Sequence, residues 1–214
     1  MTVTGIDVYE GDGDLDWKAL RAHGVRFAWQ KVNEGDYLDP SATIARVHAA
    51  RAAGVLIGGY DFLRPKPGRS GAQEFAIFEK RAKAVGLLSR GVMNLNPVLD
   101  VEATGYGTNA WGRIQTRRYI KSWVGAARKA GYTPIVYTAA WFWDDTIRCG
   151  DTFGCALWVA SYARDWEAGI PKAWGHASFH QWTDQGVLPG AKHKLDVDRY
   201  LGTWPQLLRH HIIG

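Results

Sequence analysis

The sequence predicts an α/β fold with a mostly parallel sheet, and two observations carry that prediction. Four stretches of helical periodicity close on a glycine, at His23-Gly24, Ala53-Gly54, Val85-Gly86 and Ala130-Gly131. Glycine just past the last helical turn supplies the left-handed residue that ends a helix. Three of these glycines lead directly into β-branched or aromatic strands, and the fourth does so after a link from Leu87 to Asn96. Helix, glycine and strand repeated in this way imply parallel pairing. Size is the second observation. A chain of 214 residues with 46% hydrophobic content can bury one core and stands near the lower length of an eight-fold β/α barrel. No linker shows itself, so residues 1–214 read as one barrel domain.

Taken in order, Thr2 to Tyr9 is a first strand with Asp7 near its C-terminal end, followed by the turn-rich Glu10-Gly11-Asp12-Gly13-Asp14. A helix through Trp17, Leu20 and Arg21 leads to a second strand, Val25 to Val32. Asp39-Pro40 reads as an N-cap with proline at the first helical position, opening a helix that runs to Gly54. Val55 to Phe62 is the third strand. Phe75, Phe78, Ala82 and Val85 mark the next helix, and Ile120, Trp123, Val124 and Ala127 a long one ending at Gly131. Between them lies the strand that ends in Asp100-Val101-Glu102, and Thr133 to Thr138 is the fifth strand. Beyond Thr138 the alternation weakens. Ala156–Tyr162, Ala177–Trp182 and Lys194–Asp198 read as strands, with only a weak helix over Ala139–Ile147. An irregular barrel with a degenerate C-terminal third, partly antiparallel, is the expectation.

Composition excludes several classes. No run of eighteen apolar residues occurs, so no membrane insertion is expected. The N-terminus lacks the basic and apolar regions of a secretory signal peptide. A net charge of +5 favours anionic partners, yet the basic residues show no nucleic-acid motif. The seven histidines form no HExxH pattern or close ligand pair, and His210-His211 read as a flexible end. No metal or other cofactor is called for. Cys149 and Cys155 are too widely spaced for a CxxC redox pair. A small disulfide-closed loop is the reading adopted for them, with two free thiols as the alternative.

The chemistry concentrates in Pro97-Val98-Leu99-Asp100-Val101-Glu102. Side chains alternate across a strand, so Asp100 and Glu102 face one way with Cα atoms about 6.5–7 Å apart. Two carboxyls that close push one pKa upward, which is what a general acid at neutral pH requires. Asp7, Asp61, Tyr137, Tyr162, Gln181 and Asp196 also fall at or near predicted C-terminal strand ends, which form one mouth in a barrel. Trp29, Trp141, Trp143, Trp158, Trp174 and Trp182 add aromatic surface that suits sugar rings, although at least half should be core.

In its motifs the chain resembles the family 25 glycoside hydrolases, the Chalaropsis-type lysozymes or N-acetylmuramidases of bacteria, fungi and phages. The motifs are Gly5-Ile6-Asp7-Val8, Lys31-Val32-Asn33-Glu34-Gly35, Gly59-Tyr60-Asp61-Phe62 and Pro97–Glu102. They continue with Pro134–Thr138, Leu157–Tyr162, His180-Gln181-Trp182-Thr183 and Leu195–Gly202. The resemblance covers about residues 5–202. It implies a TIM-like barrel that cuts the β-1,4 bond between N-acetylmuramic acid and N-acetylglucosamine; attack by the substrate's own acetamide, the route expected here, gives retention. It also implies Glu102 as general acid/base and Asp100 as the ionised group that orients the substrate's acetamide or acts as nucleophile. Asp7 and Asp196 follow as further site acids, Asp196 being preferred to Asp198. Tyr60, Asp61, Tyr137, Tyr162, Gln181 and Asp198 are the expected substrate contacts. Tyr9, Asp61 and Asn33 depart from the usual Ser, His and Thr, which affects substrate contacts more than the reaction. The partner so implied is bacterial peptidoglycan, met by a monomer outside the cell or delivered by a phage as an endolysin, with no nucleic acid. The competing readings are a chitinase-like glycosidase, whose DxxDxDxE pattern is absent, a non-catalytic sugar-binding barrel, and a carboxylate-held metal site.

Overall fold

A computed structural model describes residues 2–35, 40–89, 91–103 and 105–213. Eight strands close into a barrel in sequence order. They are β1 (Val3–Val8), β2 (Phe27–Glu34), β3 (Leu56–Phe62), β4 (Val98–Asp100), β5 (Ile135–Thr138), β6 (Ala156–Ala160), β7 (Phe179–Gly186) and β8 (Leu195–Tyr200). β1 to β7 run parallel, while β8 is antiparallel to both of its neighbours, β7 and β1. The α/β class and the irregular last third agree with the sequence. The placement of Asp196 at a C-terminal strand end does not. Because β8 is reversed, Asp196 sits near its N-terminal end, and that end lies at the mouth, where it pairs in register with Asp7.

Helices α1 (Trp17–Ala22), α2 (Pro40–Ala52), α3 (Gly71–Ala84) and α4 (Ala110–Lys129) follow the first four strands. The four predicted closing glycines all adopt left-handed backbone, with φ of 97° at Gly24, 76° at Gly54, 81° at Gly86 and 91° at Gly131. Asp39, the expected N-cap of α2, lies outside the described residues. Ala139–Ile147, where only a weak helix was expected, holds a single wide π turn over Trp141–Thr146.

The period of two along each strand sorts the core into two parts. Ile6, Ala28, Ile57, Leu99, Val136 and Leu157 face the helices. Phe27, Trp29, Val98, Ile135, Trp158 and Phe179 fill the barrel interior, with the Trp29 and Trp158 rings stacked at 4.3 Å. Of the six tryptophans expected near the mouth, Trp29, Trp143, Trp158 and Trp174 are buried, whereas Trp141 and Trp182 are exposed.

Two expectations are corrected here. The His210-His211 end is not a loose tail. Helix α5 (Trp204–His210) sends Leu207 into the interior core, and the His211 ring packs edge-on against Phe179 and Tyr200 at 4.8 and 5.4 Å. Burial drives His211 down to about 4, so it folds as a neutral ring. Cys149 and Cys155 are buried free thiols rather than a disulfide. Each sulfur turns to a different carbonyl of the loop between them, Cys149 to Asp151 at 3.4 Å and Cys155 to Phe153 at 3.9 Å. Burial raises both thiols, Cys155 to about 11, which keeps them protonated.

Candidate active site

The interior-facing positions at the mouth are polar where those below them are apolar. Asp7 on β1, Tyr60 on β3, Asp100 on β4, Tyr137 on β5, Gln181 on β7 and Asp198 on β8 are all buried. Pairing across the strands sets Asp100 beside Tyr137, Gln181 beside Asp198, and Asp7 beside Asp196. This is one cluster from six strands, and it lies at the barrel end where β/α barrels carry their catalytic groups.

The β4 ladder ends at Asp100, and an extended backbone carries the chain one step further. Val101 N donates to Tyr137 O at 2.9 Å, and Thr138 Oγ1 donates to Val101 O at 2.8 Å. Glu102 therefore falls on the same side as Asp100, as alternation predicts, but on the lip and half-buried. It borders a cavity of about 480 Å³ with Tyr137, Trp141, Ser161 and Tyr162. That volume falls within the usual range for ligand sites, about 300–1,000 Å³. Trp141 and Tyr162 are 59% and 53% exposed, so two aromatic faces stand open beside the carboxyl.

Below the lip runs a hydrogen-bonded chain. Tyr137 and Tyr162 hydroxyls both donate to Gln181 Oε1, at 2.8 and 2.7 Å. Gln181 Nε2 donates to Asp7 Oδ2 at 2.8 Å. Asp7 adjoins Asp198, whose Oδ1 accepts from Trp158 Nε1 at 2.9 Å and whose Oδ2 is buried without a hydrogen-bond partner. Two buried carboxyls that close resist ionising together. Burial first, then the Asp198 and Asp196 charges, sets Asp7 well above the usual carboxylate range. Asp198 is likewise raised by burial. The structure thus brings both Asp196 and Asp198 to the site in different positions. Asp198 is the buried partner of Asp7, and Asp196 is half-buried on the rim, pushed up to about 6 mainly by burial.

Asp100 and Glu102 are both raised, and the main cause is not the one expected. Burial comes first for Asp100, with the Glu102 charge second. Its Oδ1 is buried without a hydrogen-bond partner. For Glu102 burial is again first, opposed by the Arg64 guanidinium and aided by Glu34. Those two belong to a rim that sequence reasoning missed. Glu10, Lys31, Glu34 and Arg64 form a ladder of ion pairs with contacts of 3.3, 2.8 and 2.7 Å. The available signal was the position of Glu34 at the end of the second strand.

Asp61 does not join the site. Strand parity turns it outward, between the barrel and α3 and α4, where it is fully buried. There it accepts from Asn33 Nδ2 at 2.6 Å and Trp123 Nε1 at 2.7 Å, and burial pushes it up to about 8. Gln181 is the other reassignment. Its Oε1 accepts from two tyrosines and one of its two amide N–H groups is given to Asp7, so it connects the groups of the site. Gln181→Leu should leave Asp7 Oδ2 and two tyrosine hydroxyls without their partner. One buried unsatisfied group costs about 1–3 kcal/mol, and 1.4 kcal/mol is tenfold. We expect kcat on soluble glycan chains to fall about 10–100-fold with the fold retained; unchanged turnover would show that the chain is structural only.

Residues 6–191 match the glycosyl hydrolases family 25. The chain is 28% identical to Lysozyme M1 of Streptomyces globisporus, over 96% of this chain and 70% of that protein. Its structure is similar to the bacterial lysozyme from Streptomyces coelicolor, with a TM-score of 0.81 at 25% identity, covering 97% and 96% of the two chains. It is also similar to a family GH25 lysozyme from Aspergillus fumigatus, with a TM-score of 0.80 at 26% identity and 98% of each chain covered. With carboxyls at the mouth of a barrel and a match over most of its length, the chain belongs to family 25 of the glycosyl hydrolases and is a glycoside hydrolase.

Proposed function

We propose that this glycoside hydrolase is a peptidoglycan-degrading lysozyme. It hydrolyses the β-1,4 bond between N-acetylmuramic acid and N-acetylglucosamine with retention, acting outside the cell or delivered there by a phage. The lysozyme names of its relatives support the substrate class. The observation that supports the mechanism is the unequal burial of two adjacent carboxyls, Glu102 on the wall of an open cavity and Asp100 buried deeper at the barrel mouth. Glu102, on the lip and raised by burial, is placed to protonate a leaving oxygen. Asp100, deeper and with Oδ1 unpartnered, offers an acceptor to the acetamide N–H of the bound sugar. The acetamide oxygen then attacks the anomeric carbon as the glycosidic bond to the leaving oxygen breaks, and that oxygen takes the Glu102 proton. Water, deprotonated by Glu102, opens the resulting ring and restores the acid. Tyr60 and Tyr137 are held protonated by burial and line the interior beside the reacting sugar.

Mass spectrometry of fragments released from purified walls tests the bond directly. Products ending in reducing N-acetylmuramic acid are expected. Reducing N-acetylglucosamine ends, or turnover of chitin in preference to walls, would replace the reading with a glucosaminidase or a chitinase-like enzyme.

A further inference from the structure

Helix α4 carries an uneven share of the charge. It holds Arg113, Arg117, Arg118, Lys121, Arg128 and Lys129 and no acid. Those are six of the 26 lysines and arginines and none of the 21 acids. The rest of the chain, with 20 against 21, is one charge negative, so the whole positive excess sits on this helix. Its buried face is Gly112, Thr116, Tyr119, Ile120, Trp123, Val124 and Ala127, which sends the cations outward. Arg113, Arg117 and Lys121 stack at i, i+4 steps, and the ridge from 113 to 129 is about 24 Å long. Like charges at this spacing destabilise a helix by about 0.2–0.5 kcal/mol per pair. No compensating ion pair to any of the six is present among the described residues. Arg113 and Arg117 instead donate to the carbonyls of Thr108 and Arg148, both at 2.6 Å, and Arg128 to Cys155 Sγ at 3.7 Å.

Beside the middle of the ridge, Arg117, Arg118 and Lys121 border a cavity of about 350 Å³ with Ile114, Asp151 and Phe153. Asp151 is the acid facing it, and its Oδ1 is engaged by Phe153 N at 2.7 Å. Nearby Asp144 accepts from Lys172 N at 3.1 Å. The ridge begins at the Asn109 cap, seven residues after Glu102, so its upper end adjoins the mouth.

We infer that the α4 ridge and its cavity are a docking surface for a phosphodiester polymer of the teichoic acid class, attached to the wall that the enzyme degrades. The choice of a wall polymer rests on the lysozyme reading above. Length and charge call for a polyanion rather than a single anion. Along the ridge the only exposed aromatic is Trp111 at its start, which gives no stacking platform for bases. Of the large apolar side chains of α4 only Trp111 and Ile114 stand exposed, both at one end of the ridge, which is too little for the continuous apolar face that an interfacial helix lays into lipid. An aliphatic phosphodiester chain needs neither. Docking beside the mouth raises the local concentration of glycan at Glu102.

The test compares the wild type with Arg117→Gln/Arg118→Gln/Lys121→Gln, whose changes lie outside the catalytic mouth and keep good helix formers. At low salt the triple variant should bind poly(glycerol phosphate) at least tenfold more weakly. It should also clear intact walls about five- to tenfold more slowly at limiting enzyme, since exposed charges act at such range only below heavy screening. On walls stripped of phosphodiester polymers the two proteins should release reducing ends equally. Arg117→Lys/Arg118→Lys should bind like the wild type, separating charge from folding. Equal binding by wild type and triple variant would overturn the inference. So would tighter wild-type binding to a single-stranded oligonucleotide or to anionic phosphatidylglycerol vesicles at equal phosphate. Failure of both proteins on stripped walls would instead count against the lysozyme reading, and the polymer-binding comparison would still decide the role of the ridge.

Discussion

Glu102→Gln should abolish most turnover on purified walls, lowering kcat by about 10²–10⁴-fold, the range that general acid–base catalysis contributes. Glutamine keeps the shape of the side chain and removes only the transferable proton. Glu102 is half-buried on the lip and has no hydrogen bond or ion pair among the described residues, so the melting temperature should change little. The pH profile makes the assignment sharper. Burial raises Glu102, while Arg64 pulls it down. The general acid works only while protonated, so activity should fall as pH rises through that raised value, above the ordinary carboxylate range. Arg64→Gln removes the opposing charge and should move this alkaline limb to higher pH. A Glu102→Gln enzyme within tenfold of wild type, or an alkaline limb indifferent to Arg64, would take the proton transfer away from Glu102.

Much of this site was legible in the chain because its logic is a period of two. Asp100 and Glu102, two apart at a strand end, had to share a side, and Asp7, Tyr137 and Gln181 fell at other ends of the same sheet. Asp61 was misplaced because its position at a strand end was weighed without its parity. One residue after Tyr60, it had to face the helices. Reversal of β8 could not be read from local pattern, since Leu195-Asp196-Val197-Asp198 alternates identically in either direction. That reversal is what puts Asp196 on the rim and Asp198 underneath. The cysteine loop was a matter of side-chain direction, which spacing does not fix. The helix-closing glycines succeeded for the opposite reason: a left-handed backbone is a local demand, and the sequence meets it locally.

Asp100→Asn should separate stability from catalysis. The wild-type carboxyl is buried, and its Oδ1 is unpartnered. Its folded pKa is raised above the unfolded value, so its favourable contribution is complete below pH about 4 and is lost as pH rises through the folded value. Asparagine does not titrate there. The variant should therefore gain on the wild type in melting temperature progressively above pH about 4; a gap that stays flat across pH would mean that Asp100 is adequately solvated.

The catalytic consequence follows from the same imbalance. In the empty site the deeper carboxyl, Asp100, competes best for the proton, whereas the proposed reaction needs that proton on Glu102. An acetamide N–H reaching Oδ1 stabilises the Asp100 carboxylate, and its charge then raises Glu102. Substrate itself would load the acid. In the wild type the alkaline limb of kcat, which reports the complex, should thus lie above that of kcat/KM, which reports the free enzyme. In Asp100→Asn the two limbs should coincide and kcat should fall by about 10²-fold or more, the loss of one strong charge-assisted contact at the transition state. Coincident limbs in the wild type would break the link between the two carboxyls and leave Asp100 as a packing group beneath the site.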